Sequence, residues 1–293
     1  MKGDTPLRLG DYEIHRAWEG FSSIRQISSG EIMHSRTDPI REARELYVEQ
    51  ARLAQRLSKS QPKEPLVIWD VGLGAAANAT AAIECYEKTP APRPLKIVSF
   101  ENDLDSLRLA LANPASFPYL RLEAAAGIAT KGHWTSADHP GLAWHLLLGD
   151  FLETMNRAPA PDLIFFDMFS TKTSARLWAA DTFRKIFQAC VGRDVELFTY
   201  TCSTANRAAL LAAGFFVARG RNAGEKIETT IALTPAAEKR DLLSADWLAK
   251  WERSAAKFPS DVRPDERPAF EKIIRGHEQF RNSASPKRLP STT

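Results

Sequence analysis

The spacing of apolar and polar positions changes character at residue 66. Before it, residues 11–35 carry β-like patches, "YEIHRAW" and "SIRQI", broken by Gly20 and by Ser28-Ser29-Gly30. Residues 40–59 repeat Leu46, Leu53 and Leu57 at helical spacing with charges between them, which predicts a helix. From 66 onward apolar runs recur at 66–71 (LVIWDV), 95–100 (LKIVSF), 144–148, 163–168 (LIFFDM), 195–200 (VELFTY) and 227–233 (IETTIAL). Short runs of this kind predict strands. Between them, 103–112, 179–190 and 204–213 read as helices. Strand and helix in alternation imply an α/β fold, a mostly parallel sheet with helices on both faces. Gly214-Phe215-Phe216-Val217, set before the last run, predicts a closing antiparallel hairpin and brings the count to seven strands.

This pattern divides the chain into an N-terminal β/α extension (1–60), a sheet domain (61–235) that follows the linker "KSQPKEP", and a C-terminal helical appendage (236–293). In the appendage Trp247, Leu248 and Trp251 form one apolar edge and Phe270, Ile273, Ile274 and Phe280 another. It ends in the low-complexity "NSASPKRLPSTT", for which disorder is the expectation.

Composition narrows the setting. The 293 residues are 44% hydrophobic, ample for a core. The three cysteines, Cys85, Cys190 and Cys202, lie far apart without a CxxC pair, so no disulfide framework or zinc site is signalled and no metal is expected. The opening "MKGDTPLRLGDYEIH" lacks an apolar signal segment and no run is long enough to span a bilayer, which points to the cytoplasm. Lys and Arg exceed Asp and Glu by 39 to 36; the appendage holds 12 against 9, so the remainder is neutral. That excess is too small to identify a polyanionic partner by itself.

Candidate chemistry gathers at the strand ends. In open α/β sheets ligands bind beyond the carboxyl ends of the strands. The first run closes on Asp70-Val-Gly72-Leu-Gly74-Ala-Ala76, an acid followed by a glycine turn that admits close backbone approach. A dinucleotide fingerprint carries a third glycine and no acid at this place. The acid repels a pyrophosphate and attracts a sulfonium. Glu101 ends the second run, placed to hold ribose hydroxyls. Gly149-Asp150 follow the third, where a carboxylate can accept from an adenine amino group. Asp167 ends the fourth. Any one of these acids is ordinary as a polar strand terminus; four in register describe a pocket for a cationic nucleoside, S-adenosylmethionine.

Residues 167–178, "DMFSTKTSARLW", carry a second signature. With Asp167, Phe169, Ser170, Lys172 and Trp178 the chain resembles the tRNA 5-methylaminomethyl-2-thiouridine methyltransferases, the methyltransferase half of MnmC or the stand-alone MnmD. The family's prolines in this loop are absent. "Gly30-Glu31-Ile-Met-His34-Ser35", "Glu42-Ala-Arg", Asn78, and "Phe198-Thr-Tyr200-Thr" followed by a helix and "AGF" extend the resemblance over roughly residues 20–235. It implies a Rossmann-like class I S-adenosylmethionine-dependent methyltransferase fold. It also implies methyl transfer to the exocyclic amine of 5-aminomethyluridine at the tRNA wobble position. Asp167 is then the residue that binds and orients the ammonium, or takes its proton as base. His34, Ser35 and Asn78 join Asp70, Gly72, Gly74, Glu101 and Asp150 around the cofactor. Glu42, Phe169, Lys172, Trp178 and Tyr200 face the substrate, the aromatic rings stacking on the uracil or its cation. Arg219, Arg221 and Lys226 are candidates to neutralise phosphate. Three other readings stay open: a small-molecule amine methyltransferase or aminopropyltransferase, a nicotinamide dehydrogenase, and a non-catalytic relative.

Overall fold

The run Leu66–Val71 is buried along its whole length. Leu66 and Ile68 enter one apolar layer, while Val67, Trp69 and Val71 enter the other. A strand covered on both faces needs such a continuous apolar run. The computed structural model describes residues 7–34, 37–58, 64–221, 228–235, 237 and 240–281. Ser35, Lys226 and the tail beyond Arg281 lie outside the described residues.

An N-terminal antiparallel sheet holds β1 (Arg8–Leu9), β2 (Tyr12–Arg16) and β3 (Ser22–Gln26). The main sheet holds β4 (Leu66–Val71), β5 (Leu95–Glu101), β6 (His133–Thr135), β7 (Leu142–Leu148), β8 (Leu163–Phe166), β9 (Glu196–Thr199), β10 (Phe216–Gly220) and β11 (Thr229–Leu233), in the order β10-β11-β9-β8-β4-β5-β7-β6. β4 runs parallel to β5 and β8, β5 to β7, and β8 to β9. β11 closes the sheet antiparallel to β9, with β10 outside it. The chain thus turns outward in both directions from β4, and that reversal opens a crevice at the carboxyl ends of β4, β5 and β8.

Seven of these strands match the apolar runs. The eighth, β6, is an addition: three residues pair antiparallel with β7 at the sheet edge. An edge strand this short needs no apolar run, which is why the pattern did not reveal it. The helix expected over 40–59 is interrupted as well. A turn of helix, Pro39–Ala43, capped by Asp38 through the Arg41 N–H, passes into a π-helical turn, Arg44–Glu49. The chain then reverses at Arg52 (φ 51°) before Leu53–Leu57. The wider turn lets three consecutive residues, Leu46, Tyr47 and Val48, all face the core.

The N-terminal extension and the C-terminal appendage both pack on the main sheet. Tyr12, Ile24 and Ile40 share one apolar layer with helices 77–88, 105–112 and 122–131. Trp247, Trp251, Phe270 and Ile274 share the other with helices 180–189 and 204–213. The exposed edge of β10 is covered by the C-terminal segment: Leu243 N–H donates to Val217 O, and the Gln279 carboxamide both accepts from Val217 N–H (2.7 Å) and donates to Val217 O (2.9 Å). A side chain here takes the place of a missing strand and removes an unpaired edge. Glu196 fastens both termini to β9, accepting from Arg56 (2.5 Å) and Arg240 (2.7 Å) while almost wholly buried. No helix among the described residues is long and apolar enough to cross a membrane.

Candidate active site

The chain leaves β4 through Gly72 (φ +93°). A Cβ there would lie 2.6 Å from the Asp167 carbonyl oxygen, so only glycine lets the first turn pass beneath the end of β8. Asp167 N–H donates to Val71 O across that contact at 2.9 Å. Gly74 (φ +51°) follows, and its N–H donates to Glu101 Oε2 at 3.1 Å. Ala76, buried, adopts the left-handed conformation (φ +63°) that ordinarily favours glycine. Helix 77–88 then starts, and its Asn78 Nδ2 donates to Asp167 Oδ2 at 2.9 Å.

These residues form the floor of a cavity of about 1170 Å³. Gly72, Gly74, Asn78, Glu101 and Asp167 line its sheet side. Tyr12, Met33, His34 and Glu42 line the side contributed by the N-terminal extension, with His34 Nδ1 3.3 Å from Glu42 Oε2. Phe169, Ser170, Thr173 and Tyr200 complete it. Glu31 ties extension to loop: its carboxylate accepts from Ser170 N–H (2.7 Å), Ser170 Oγ (3.0 Å) and Thr173 Oγ1 (2.6 Å).

Carboxylates outnumber cationic side chains on the cavity wall. Burial, then the charges of Asp167, Glu31 and Glu42, hold the Tyr200 hydroxyl well above the ordinary phenol range. Burial, then Glu101 and Asp103, do the same to Tyr12. Burial, then Asp167, do so to Tyr47, which lies wholly inside the core. Burial pushes the Glu101 carboxyl up against the opposing pull of the Gly74, Asn102 and Asp103 N–H groups. Burial is the main cause in each phenol, and the carboxylates Glu31, Glu42, Glu101 and Asp167 on the cavity wall add negative charge that suits a cation.

Of the candidates drawn from the sequence, Gly72, Gly74, Asn78, Glu101, His34, Glu42, Phe169, Tyr200 and Asp167 meet at this cavity. Four do not. Asp70 lies within β4, on the face shared by Leu66 and Ile68, and points into the helical layer; it is 1% exposed. It accepts from Ser99 Oγ (2.6 Å), which itself accepts from Trp144 Nε1 (2.8 Å). Burial is the main reason its carboxyl is raised to about 7. Asp70 therefore acts beneath the site and not within it. Asp150 caps the turn of helix 151–154 through Leu152 N–H (2.9 Å) and pairs with Arg176; it lines a smaller neighbouring cleft that shares Glu101, Asn102 and Met168 with the main cavity. Trp178 is buried edge-on against Phe166 and Tyr200, and its Nε1 donates to Phe169 O at 2.7 Å. It braces the loop from below and cannot stack on a ligand. Lys172 is exposed on the loop, outside the cavity wall. Arg219 and Arg221 lie exposed at the end of β10, also outside it.

Tyr12, Met33, Arg207, Glu228 and Lys250 also line the cavity, although nothing in the local sequence marks them as candidates. Glu31 has a signal in the sequence, a carboxylate between Gly30 and an apolar pair, but its role is visible only in the fold. No group of three or more metal-ligating side chains occurs among the described residues.

Residues 126–235 match a family model described as S-adenosyl-L-methionine-dependent methyltransferase. The match, which lies on the sheet domain whose strand ends form the cavity, identifies an S-adenosyl-L-methionine-dependent methyltransferase domain in this chain. The chain is a relative of the MnmC methyltransferase family. The bifunctional tRNA 5-methylaminomethyl-2-thiouridine biosynthesis protein MnmC of Pseudomonas entomophila is 28% identical over 198 residues, covering 64% of this chain and 30% of that protein. The MnmC of Pseudomonas aeruginosa is 29% identical over 215 residues, covering 68% and 32%. The chain thus spans about a third of the length of the curated relatives it matches. The solved structure of MnmC2 from Aquifex aeolicus superposes with a TM-score of 0.66 at 22% identity, over 92% of this chain and 85% of that one, and shares its fold.

The residues present fit the cofactor. Gly74 leaves the turn bare where a Cβ would come within 3.0 Å of Met33 Sδ, and Glu101 and Asp167 offer carboxylate acceptors on the same wall. These suit ribose hydroxyls and a cationic group respectively.

Proposed function

We propose that this protein methylates the exocyclic amine of 5-aminomethyluridine, with or without sulfur at position 2, at the wobble position of tRNA in the cytoplasm. The observation that carries the reading is Asp167: a carboxylate at the tip of β8, fixed by Asn78, facing an acid-rich cavity that has ample room for two ligands. The similarity to MnmC, named for tRNA 5-methylaminomethyl-2-thiouridine biosynthesis, supports the choice of this amine.

An alkylammonium has a pKa near about 10.4 and holds no free lone pair at neutral pH. S-adenosylmethionine, when bound, supplies an electrophilic methyl group. The protein's own residues do the rest. Asp167, held by the hydrogen bond from Asn78 to its Oδ2, accepts a hydrogen bond from the ammonium and takes its proton. Glu42, beside His34, adds negative charge that draws the ammonium inward. Phe169 and Tyr200 wall the pocket, and Tyr200 is fixed by donating to Met168 O at 3.0 Å. Holding the amine in a near-attack geometry supplies on the order of 7–11 kcal/mol of the barrier.

The acid-rich lining also suits a small free amine, which keeps a small-molecule methyltransferase as the second reading. Purified protein with labelled S-adenosylmethionine separates the two. Incorporation into tRNA lacking the wobble methyl, recovered as the methylaminomethyl nucleoside by mass spectrometry, supports the first. Incorporation into free amines with none into that tRNA overturns it.

A further inference from the structure

The cavity's charge poses a problem for the reading above. Glu31, Glu42, Glu101, Asp167 and Glu228 all line it, yet its substrate is a polyanion. A wall of carboxylates that attracts the amine repels the phosphates on either side of the target nucleotide. Two long cationic side chains also line the cavity, Arg207 and Lys250. Arg207 is committed: it is 4% exposed and donates to Thr230 Oγ1 (2.9 Å) and Thr229 O (2.8 Å) while pairing with Glu228. Its charge holds a carboxylate in place and is not offered to a ligand.

Lys250 differs. It comes from helix 245–253, in the C-terminal appendage, beyond the segment 126–235 that the methyltransferase family model matches. The buried rings of Trp247 and Trp251 share an apolar layer with Val217 and Ala232 of the sheet and anchor that helix, while Trp251 Nε1 donates to Lys257 O at 3.0 Å within the appendage. Lys250 itself is exposed and reaches the cavity wall. Among the described residues no carboxylate forms a salt bridge with it, whereas Lys257 on the same appendage pairs with Glu271.

We propose that Lys250 is a substrate-binding residue: the C-terminal appendage places one uncommitted ammonium at the mouth of an acidic cavity, where it takes a backbone phosphate next to the target nucleotide. This rests on the tRNA reading above. The appendage then has a function besides covering β10. It offsets the repulsion that the catalytic carboxylates impose on RNA, and it favours substrates carrying a phosphate over free amines.

The test compares the full chain with Lys250→Ala, Lys250→Glu and Lys250→Arg, using tRNA that carries the unmethylated aminomethyl uridine over a range of salt. Loss of one phosphate contact should raise KM for tRNA in Lys250→Ala, and raise it further in Lys250→Glu. The slope of log KM against log salt should fall by about 0.7, the value for one contact to a single strand. The effect should stay in KM, and calorimetric affinity for S-adenosylhomocysteine should not move. Lys250→Arg should restore KM, since it keeps the charge. A wild type active on tRNA, with Lys250→Ala matching it in KM and salt slope, overturns this inference alone. A wild type that methylates no tRNA overturns the functional reading and the inference with it.

Discussion

Asp70 gives the sharpest physical test of how the site is supported. Its carboxyl is raised from the ordinary 3.8 to about 7, chiefly by burial, with the charge of Asp167 adding to it and the Ser99 hydrogen bond opposing it. The two values differ by about three pH units, and each unit is worth about 1.4 kcal/mol. Keeping this group ionised in the folded state therefore costs about 4 kcal/mol. Because the folded value lies above the unfolded one, the favourable contribution is fully present below pH 3.8 and is lost as pH rises through 7. Roughly half of the loss has accrued by pH 5.5. Asp70→Asn keeps an acceptor for Ser99 but does not ionise. Its stability relative to wild type should grow by about 2 kcal/mol between pH 5.5 and 8, or roughly 3 °C in Tm for a chain of this length. Thermal melts of the two proteins at half-unit pH intervals measure this. Parallel curves with a constant offset across that range would refute the reasoning, since they would mean that Asp70 ionises in the fold as easily as in the unfolded chain.

Gly72→Ala must strain a φ of +93° and meet the Asp167 carbonyl at 2.6 Å. The backbone part alone costs about 1–3 kcal/mol. Melting temperature should drop, and S-adenosylhomocysteine should no longer stabilise the variant; a normal thermal shift with ligand would count against the cradle. Glu31→Gln weakens the three hydrogen bonds that hold Ser170 and Thr173. Bonds to a charged partner are worth about 1.5–3 kcal/mol each, so turnover should fall by about tenfold or more and protease cleavage in 170–174 should quicken; unchanged rates in both assays would show that the loop is held by other contacts. Glu196→Ala leaves Arg56 and Arg240 without their shared buried partner. Breaking such a cluster costs about 3–5 kcal/mol, to be read from the urea midpoint, and a loss under about 1 kcal/mol would show that the arginines find other partners.

The strands of the main sheet were legible because most are buried on both faces and need unbroken apolar runs, as Leu163–Phe166 shows. β6 was not, since His133, Trp134 and Thr135 pair on one side only. The Leu46, Leu53, Leu57 spacing predicted helix correctly but could not show the left-handed break at Arg52, which nothing in that residue's type signals. At the site, glycine turns and strand-tip acids were readable by their position. Side-chain direction was not. Asp70 and Asp167 look alike in sequence, yet one falls inside its strand and faces a helix layer, while the other lies just past its strand and faces the crevice. Trp178 has the composition of a stacking residue, but its ring is enclosed by Phe166, Phe183 and Tyr200. Lys250 could not be read at all, because no local pattern says which face of helix 245–253 reaches a cavity formed largely by residues before 235.

The account turns on one carboxylate meeting the amine. Single-turnover methyl transfer to tRNA by Asp167→Asn, set beside calorimetric affinity for S-adenosylhomocysteine, tests it most directly. The expected result is a rate at least about a hundredfold below wild type, the low end for loss of a general base, with cofactor affinity essentially retained. A variant that transfers methyl at near the wild-type rate would contradict the account.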